Sequence, residues 1–309
     1  MSRHVVLGAG PVGRAVVQSL RTRGIEVDVV SRSGTEIPGA RAVIADVRDS
    51  NQLSKVIAGA DAVYQASQPE YHRLPEEFPA LQNSIVQAVR GTNAVLVVVE
   101  NLYGYGPVSG PLTENLPLVA TGRKGKVRAD MWRSLQAEHN AGRIRVTAGR
   151  PSDFFGPFAL GSQVGERFFI PLLKGKKAEV FGSASALHTY TYAVDIGEAL
   201  VRMALDHRSL GRAWHLPSAP AVTNQQFLEI AARIAGVQPR SVTRGALSMK
   251  IAGLFIPPAR EIPEILYEFE EDFVVDHSSY ASIFGDHSTP LEESLTATVE
   301  WYRSAHVGH

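Results

Sequence analysis

Six residues near the N-terminus, Gly8-Ala9-Gly10-Pro11-Val12-Gly13, carry the spacing G-x-G-x-x-G. They follow a short apolar run, His4 to Leu7. They open a segment with apolar residues at Val12, Ala15, Val16 and Leu20, a helical spacing that Gly24 stops. A strand, a glycine turn and a helix in that order form a phosphate cradle. Gly8 allows the turn, Gly10 lets a pyrophosphate approach the backbone, and Gly13 lets helix and strand pack closely. The helix N-terminus adds free N–H groups and a positive dipole end. The chemistry indicated is dinucleotide binding, through Gly8, Gly10, Pro11, Val12 and Gly13.

The end of the second strand, Val27 to Val30, bears on the cofactor. Asp or Glu at that point would bind a ribose 2′-OH, as NAD requires. This chain has Ser31-Arg32-Ser33 instead. A guanidinium and two hydroxyls suit a 2′-phosphate, and Arg14 adds a second positive charge. Asp28 lies mid-strand, too early to reach the ribose. NADP(H) is therefore expected ahead of NAD(H). Asp46, in Ala45-Asp46-Val47, ends a third strand, where its carboxylate either accepts from the adenine amino group or caps the next helix. Ala66-Ser67-Gln68 ends a fourth strand at the carboxyl edge of the sheet, where open α/β sheets bind ligands.

The elements that must position these residues alternate. Strands at His4–Leu7, Val27–Val30, Ala42–Ala45, Ala62–Ala66, Ala94–Val99 and Arg145–Ala148 are separated by helical segments such as Leu53–Ile57, Pro75–Arg90 and Lys124–Asn140. That rhythm predicts an α/β, Rossmann-type, doubly wound parallel sheet over residues 1–150. From Pro151 to Pro171 Phe, Pro and Gly become dense. Residues 151–309 read as a smaller substrate-binding region that partly returns to the sheet near Ala213–Leu216. Helices are expected at Val194–Leu205, Gln225–Ile234 and Glu292–Arg303.

The composition narrows the class. With 31 basic and 31 acidic residues, the 309-residue chain has no global positive field, so nucleic acid is not an expected partner. No cysteine is present, which removes disulfides, thiolate metal sites and cysteine nucleophiles and suits a cytoplasmic location. The longest apolar runs are strand-sized, so no membrane span is expected. The histidines lack metal-ligand spacing, and G-x-S-x-G is absent. Glu268, Glu270, Glu271 and Asp272 read as a solvated acidic face.

Several segments together resemble the atypical and extended short-chain dehydrogenase/reductases, the epimerase/dehydratase-like group. They are Leu102-Tyr103-Gly104, Pro111-Leu112-Thr113-Glu114, the run Arg150 to Pro157, and Tyr192-Ala193-Val194-Asp195. The resemblance covers residues 3–205, with a weaker tail to 303. It implies a Ser or Thr and a Tyr-x-x-x-Lys whose lysine lowers the tyrosine pKa and holds the ribose. Lys126, with Asp130 four residues later, resembles that lysine and is expected to serve both catalysis and cofactor binding. The tyrosine then falls on Gly122 and the serine on Val99, so both usual groups are missing. Tyr103, Tyr105 and Asp153 become the candidate proton donors. A dry pocket would raise the pKa of Asp153 and suit it to that task. Pro151 is carried over as a cofactor contact.

The resemblance also bears on the substrate. Asp153 stands where nucleotide-sugar enzymes of the group carry asparagine near the diphosphate, and an acid there repels phosphate. His188 stands where they often carry arginine. With Phe154, Phe155 and Tyr192, and with Phe158, Phe168 and Phe169 close in sequence, the expectation is a small, partly apolar carbonyl, hydroxyl or unsaturated substrate. The reading is an NADP(H)-dependent oxidoreductase. Two alternatives remain: a non-catalytic NADP(H)-binding sensor, and an epimerase or isomerase with no net redox change. Relatives often dimerise through helices equivalent to Pro75–Arg90 and Lys124–Asn140, which makes a homodimer a candidate. The stripe Leu81, Ile85, Val89 serves equally for packing on the sheet.

Overall fold

Seven strands form one parallel sheet in the computed structural model, which describes residues 2–245 and 263–307. The first half runs β1 (Arg3–Leu7), α1 (Pro11–Thr22), β2 (Glu26–Ser31), β3 (Arg41–Ile44), α2 (Ser50–Ile57), β4 (Ala62–Gln65), α3 (Leu74–Val89), β5 (Val95–Val99), α4 (Arg123–Asn140) and β6 (Arg145–Arg150). The second half runs β7 (Asp153–Phe155), α5 (Glu166–Leu173), β8 (Ala178–Phe181), β9 (Leu187–His188), β10 (Tyr190–Tyr192), α6 (Ala193–Leu205), β11 (Ala213–His215), β12 (Val222–Thr223) and α7 (Asn224–Ala235). It continues with β13 (Ser241–Arg244), α8 (Tyr267–Glu270), α9 (Ser278–Phe284) and α10 (Leu291–Tyr302). The sheet order is β3-β2-β1-β4-β5-β6-β11. The order reverses between β1 and β4, the switch point at which such sheets open a ligand crevice. The last strand is the predicted return, with Trp214 opposite Gly149.

Both faces of the strands are buried, which is why they read as near-continuous Val and Leu runs. Val5, Leu7, Val63, Leu96 and Val146 pack with Leu53, Phe78, Leu81, Ile85 and Trp132 of α2, α3 and α4. Val6, Val29, Tyr64 and Val97 pack with Val16, Leu20, Ile196 and Leu200 of α1 and α6. The stripe Leu81, Ile85, Val89 is thus spent on the sheet. Asp28 is buried and held by Arg3 at 2.6 Å and Arg41 at 2.6 Å, as its mid-strand position suggests.

A separate core lies outside the sheet. Phe155, Phe168, Phe169, Phe227, Tyr190, Tyr192 and Tyr302 fill it. Phe155 and Tyr192, expected at a substrate pocket, instead meet each other there at 5.6 Å between ring centroids. Their apolar area is buried between elements rather than facing a ligand. Residues 263–276 then cross back over the carboxyl ends of the strands as a strap. Its backbone pairs with Leu187 and Thr189 through Phe273 and with Leu112 through Val274 and Asp276.

Candidate active site

The glycine loop has the shape its sequence predicts. Gly8 has φ +115°, and a Cβ there would lie 2.8 Å from the Ala66 carbonyl oxygen. A Cβ on Gly13 would run into the Gly8 carbonyl, so helix and strand approach as only glycine allows. Over Gly10 no heavy atom stands within 4 Å of where a Cβ would be. The first turn of α1 therefore faces open space, and the residues present fit a pyrophosphate.

Around this loop lie the other expected cofactor contacts. Arg32 and Ser33 are exposed beyond β2, and among the described residues no carboxylate pairs with Arg32. Ser31 Oγ accepts from Thr35 N at 2.9 Å, and Ser33 Oγ lies 2.8 Å from Thr35 Oγ1. The Arg14 guanidinium lies 4.4 Å above the Phe158 ring, and its Nε donates to the Ala9 carbonyl. Asp46 accepts from Arg48 Nη2 at 2.7 Å, and this hydrogen bonding lowers its pKa to about 2. Val47 is buried, and its carbonyl accepts from Ser84. β4 ends at Gln65, one residue earlier than expected, so Ala66, Ser67 and Gln68 form the loop after it. Pro151 is buried just after β6.

At the carboxyl ends of β5 and β6 the candidate catalytic residues divide into two groups. Tyr105 belongs to a buried structural network. Arg150 Nη1 donates to its hydroxyl at 2.8 Å, and the hydroxyl lies 2.9 Å from His215 Nε2. His215 Nδ1 lies 3.0 Å from the Asp276 carbonyl, which can only accept. The proton is therefore on Nδ1, and Tyr105 donates to Nε2. Arg150 also binds Glu100 at 3.2 Å, and Glu114 accepts the His215 backbone N–H at 3.1 Å. Tyr105 is thus tied into the join between the strap and the sheet.

Tyr103 and Asp153 meet elsewhere. The Tyr103 hydroxyl lies 3.3 Å from that of Tyr71, which precedes α3. Burial, followed by the nearby Tyr71, Glu268 and Asp153, raises the Tyr103 pKa well above its ordinary value. Asp153 Oδ2 lies 3.0 Å from His188 Nε2. His188 Nδ1 donates to the Glu268 carbonyl, which fixes the ring with Nε2 toward Asp153. The His188 ring is stacked between Phe269 at 4.6 Å and Phe273 at 5.4 Å, both from the strap. Phe154, next to Asp153 on β7, is half-buried and packs instead against the core under α1 and α6.

Two sequence expectations fail here. Lys126 is exposed, on the outer face of α4 beside Asp130 and Arg133. The helix starts so that Lys124 and Arg128, also four residues apart, point inward. Lys124 Nζ lies 4.9 Å over the Tyr71 ring and 3.8 Å from Glu264. Arg128 donates to the Val99 carbonyl at 3.2 Å and to Asn101 Oδ1 at 3.3 Å. The acidic run is also not a uniform solvated face. Glu270, Glu271 and Asp272 are exposed, but Glu268 is only 2% exposed. Ile265, Leu266, Phe269 and Phe273 are interleaved with it and buried, and that apolar pattern was the available signal. Tyr71, Glu264 and Tyr267 carried no such signal.

The resulting site combines tyrosine hydroxyls, three carboxyls and an imidazole beside a nucleotide-shaped loop. It can orient a small polar group, hold a proton and exclude water. The family model for the NAD dependent epimerase/dehydratase family matches residues 4–215. A curated dTDP-glucose 4,6-dehydratase from Mycolicibacterium smegmatis is 22% identical over 320 residues, covering 96% of this chain and 92% of the relative. The fold matches a UDP-glucuronic acid 4-epimerase from Bacillus cereus in complex with NAD, with TM-score 0.81 and 14% identity over 99% of this chain and 98% of the other. It matches a dTDP-glucose 4,6-dehydratase double mutant from Streptomyces venezuelae with NAD bound, with TM-score 0.81 and 18% identity over 100% and 98%. The chain belongs to the NAD-dependent epimerase/dehydratase family, as the sequence resemblance implied, and is an enzyme of the oxidoreductase/epimerase kind.

Proposed function

We propose that this family member is an NADP(H)-dependent oxidoreductase for a small, partly apolar carbonyl or unsaturated compound. The observation that carries the reading is the convergence of Tyr71, Tyr103, Asp153 and His188 at the strand ends beside a glycine loop left open over Gly10. The pyrophosphate is held by the backbone from Gly8 to Gly13. Ala66 to Gln68 border the nicotinamide half, and Asp46 and Val47 the adenine. Ser31, Arg32, Ser33 and Arg14 favour the 2′-phosphate, because no acid ends β2 and, among the described residues, no carboxylate is in ion-pair contact with Arg32, although Asp46 lies near enough to feel its charge. The cofactor, when bound, supplies or removes hydride.

The protein's share is orientation and proton handling. Tyr103, whose burial keeps its hydroxyl protonated, donates a hydrogen bond to the substrate oxygen. Asp153, held in place by His188, accepts a hydrogen bond from a substrate hydroxyl. The strap rings of Phe269 and Phe273 give the apolar wall. Three carboxyls near the site, on Asp153, Glu264 and Glu268, disfavour a nucleoside diphosphate.

The test is NADPH consumption by the purified chain against a panel of small aldehydes, ketones and enones, beside dTDP- and UDP-sugars. Turnover of the carbonyl panel alone supports the reading. Conversion of only the nucleotide sugars, with no net NADPH consumed, favours the second reading, an epimerase or dehydratase. The relatives named above, a dehydratase and an epimerase, point to that alternative.

A further inference from the structure

Phe158 is held in a conformation that phenylalanine rarely adopts. It stands third in the turn Gly156-Pro157-Phe158-Ala159 after β7, which the Ala159 N–H closes onto the Gly156 carbonyl at 3.2 Å. Its φ is +64°, and among the described residues it is the one non-glycine with a positive φ. Proline second and a left-handed third residue make a type II turn, whose third position favours glycine or asparagine. The side chain is also left 43% exposed. Neither backbone preference nor burial accounts for a phenylalanine here, and such outliers persist where surrounding contacts fix them. The contacts of the ring supply the reason. The Arg14 guanidinium lies 4.4 Å from its centroid, and the Trp301 ring of α10 lies 4.9 Å away. Trp301 packs against the separate core outside the sheet, so the Phe158 ring ties Arg14 to that core. Arg14 Nε donates to the Ala9 carbonyl at 3.2 Å, and its backbone N–H donates to the Gly10 carbonyl at 2.9 Å. Both distances place Arg14 against the glycine loop, which is open over Gly10. Among the described residues neither Nη has a hydrogen-bond partner, and no carboxylate is in ion-pair contact with Arg14.

We infer that Phe158 is a positioning residue for the cofactor. Its ring presets the Arg14 guanidinium against the glycine loop and leaves both Nη groups to donate to a cofactor phosphate. The inference rests on the dinucleotide reading of that loop. A long, mobile arginine has to be ordered when it meets its ligand, and that ordering weakens binding. A guanidinium already held by a ring and a backbone carbonyl has less freedom left to lose. The ring contact uses none of its N–H donors, so the charge and the planar fork that suit phosphate are kept. The 2′-phosphate of NADPH is the group assigned to Arg14. The pyrophosphate, common to NADPH and NADH, offers the same chemistry.

The test is calorimetric titration of full-chain variants with NADPH and with NADH. The variants are Phe158→Gly, Phe158→Tyr, Arg14→Met and the combination of Phe158→Gly with Arg14→Met. Glycine suits the left-handed position, so Phe158→Gly removes the ring without straining the turn. It is expected to weaken NADPH binding roughly fivefold. Phe158→Tyr keeps a ring and is expected to stay within about twofold of the wild type. In the Arg14→Met background Phe158→Gly is expected to change nothing further, because its effect runs through Arg14. Under this inference, NADH affinity that is unchanged in Phe158→Gly identifies the 2′-phosphate, and equal weakening of NADH identifies the pyrophosphate. Unchanged NADPH affinity in Phe158→Gly, or the same loss with and without Arg14, overturns the positioning role and leaves the dinucleotide reading standing. Wild-type protein that binds neither NADPH nor NADH overturns both.

Discussion

The Glu264 carboxylate folds over the first turn of α4 so closely that a Cβ on Gly122 would lie 2.6 Å from its Oε1. The same oxygen accepts the Lys124 backbone N–H at 2.6 Å. The residue that sequence comparison assigns to the tyrosine position is thus a glycine with a carboxylate over it. Gly122 itself has φ −66°, so alanine is acceptable to the backbone. We predict coupling between the two sites. Gly122→Ala in the wild type displaces Glu264 and loses a helix N-terminal hydrogen bond, worth about 1 kcal/mol. In a Glu264→Ala background the same change is stabilising by about 0.5 kcal/mol, through reduced unfolded-state entropy. Urea denaturation of the four proteins reads the coupling, and strict additivity would contradict it.

The two cations of α4 are predicted to differ sharply. Lys126→Ala leaves fold and cofactor affinity unchanged, because the side chain is exposed. Arg128 is 3% exposed and lies 3.6 Å from Glu100, which it shares with Arg150. Arg128→Met removes one of the two cations facing a buried carboxylate and is expected to cost about 3 kcal/mol. Chemical denaturation checks both. A larger loss for Lys126→Ala would show that the inward face of the helix has been misassigned.

Stability should fall with rising pH because of Glu268. Its folded pKa is raised above the reference value of 4.5, with burial the leading cause. A raised folded value means a contribution fully present below the unfolded pKa and lost as pH rises through the folded one. Glu268→Gln should therefore match the wild type near pH 4 and melt at a higher temperature than the wild type at alkaline pH. Parallel melting curves across pH measure this, and superimposable profiles would refute it.

Cofactor choice is predicted to rest on Arg32. Arg32→Ala should weaken NADPH binding about tenfold, equivalent to 1.4 kcal/mol, and leave NADH unchanged. Equal weakening of both cofactors would mean that Arg32 acts on the fold of the β2 loop rather than on the 2′-phosphate.

Local pattern made the sheet and its glycine loop legible. Gly8, Gly10 and Gly13 and the alternating strands are short-range signals, and the structure meets them nearly residue by residue. The catalytic side of the site was less legible. The inward face of α4 depends on where the helix starts, and a start at Arg123 turns Lys124 and Arg128, not Lys126, toward the sheet. Tyr103 and Tyr105 are two residues apart in sequence, yet one meets Tyr71 and the other His215. Glu268 comes from a strap more than a hundred residues beyond Asp153. Only tertiary packing brings them together, and its one sequence trace is the apolar interleaving at Ile265, Leu266, Phe269 and Phe273.

The most direct measurement is calorimetric titration of the purified chain with NADPH and NADH in parallel. The account predicts saturable one-to-one NADPH binding, with NADH at least about tenfold weaker. Equal or tighter NADH binding would contradict the role given to Ser31, Arg32 and Ser33. Binding of neither would contradict the assignment of the glycine loop and the oxidoreductase reading built on it.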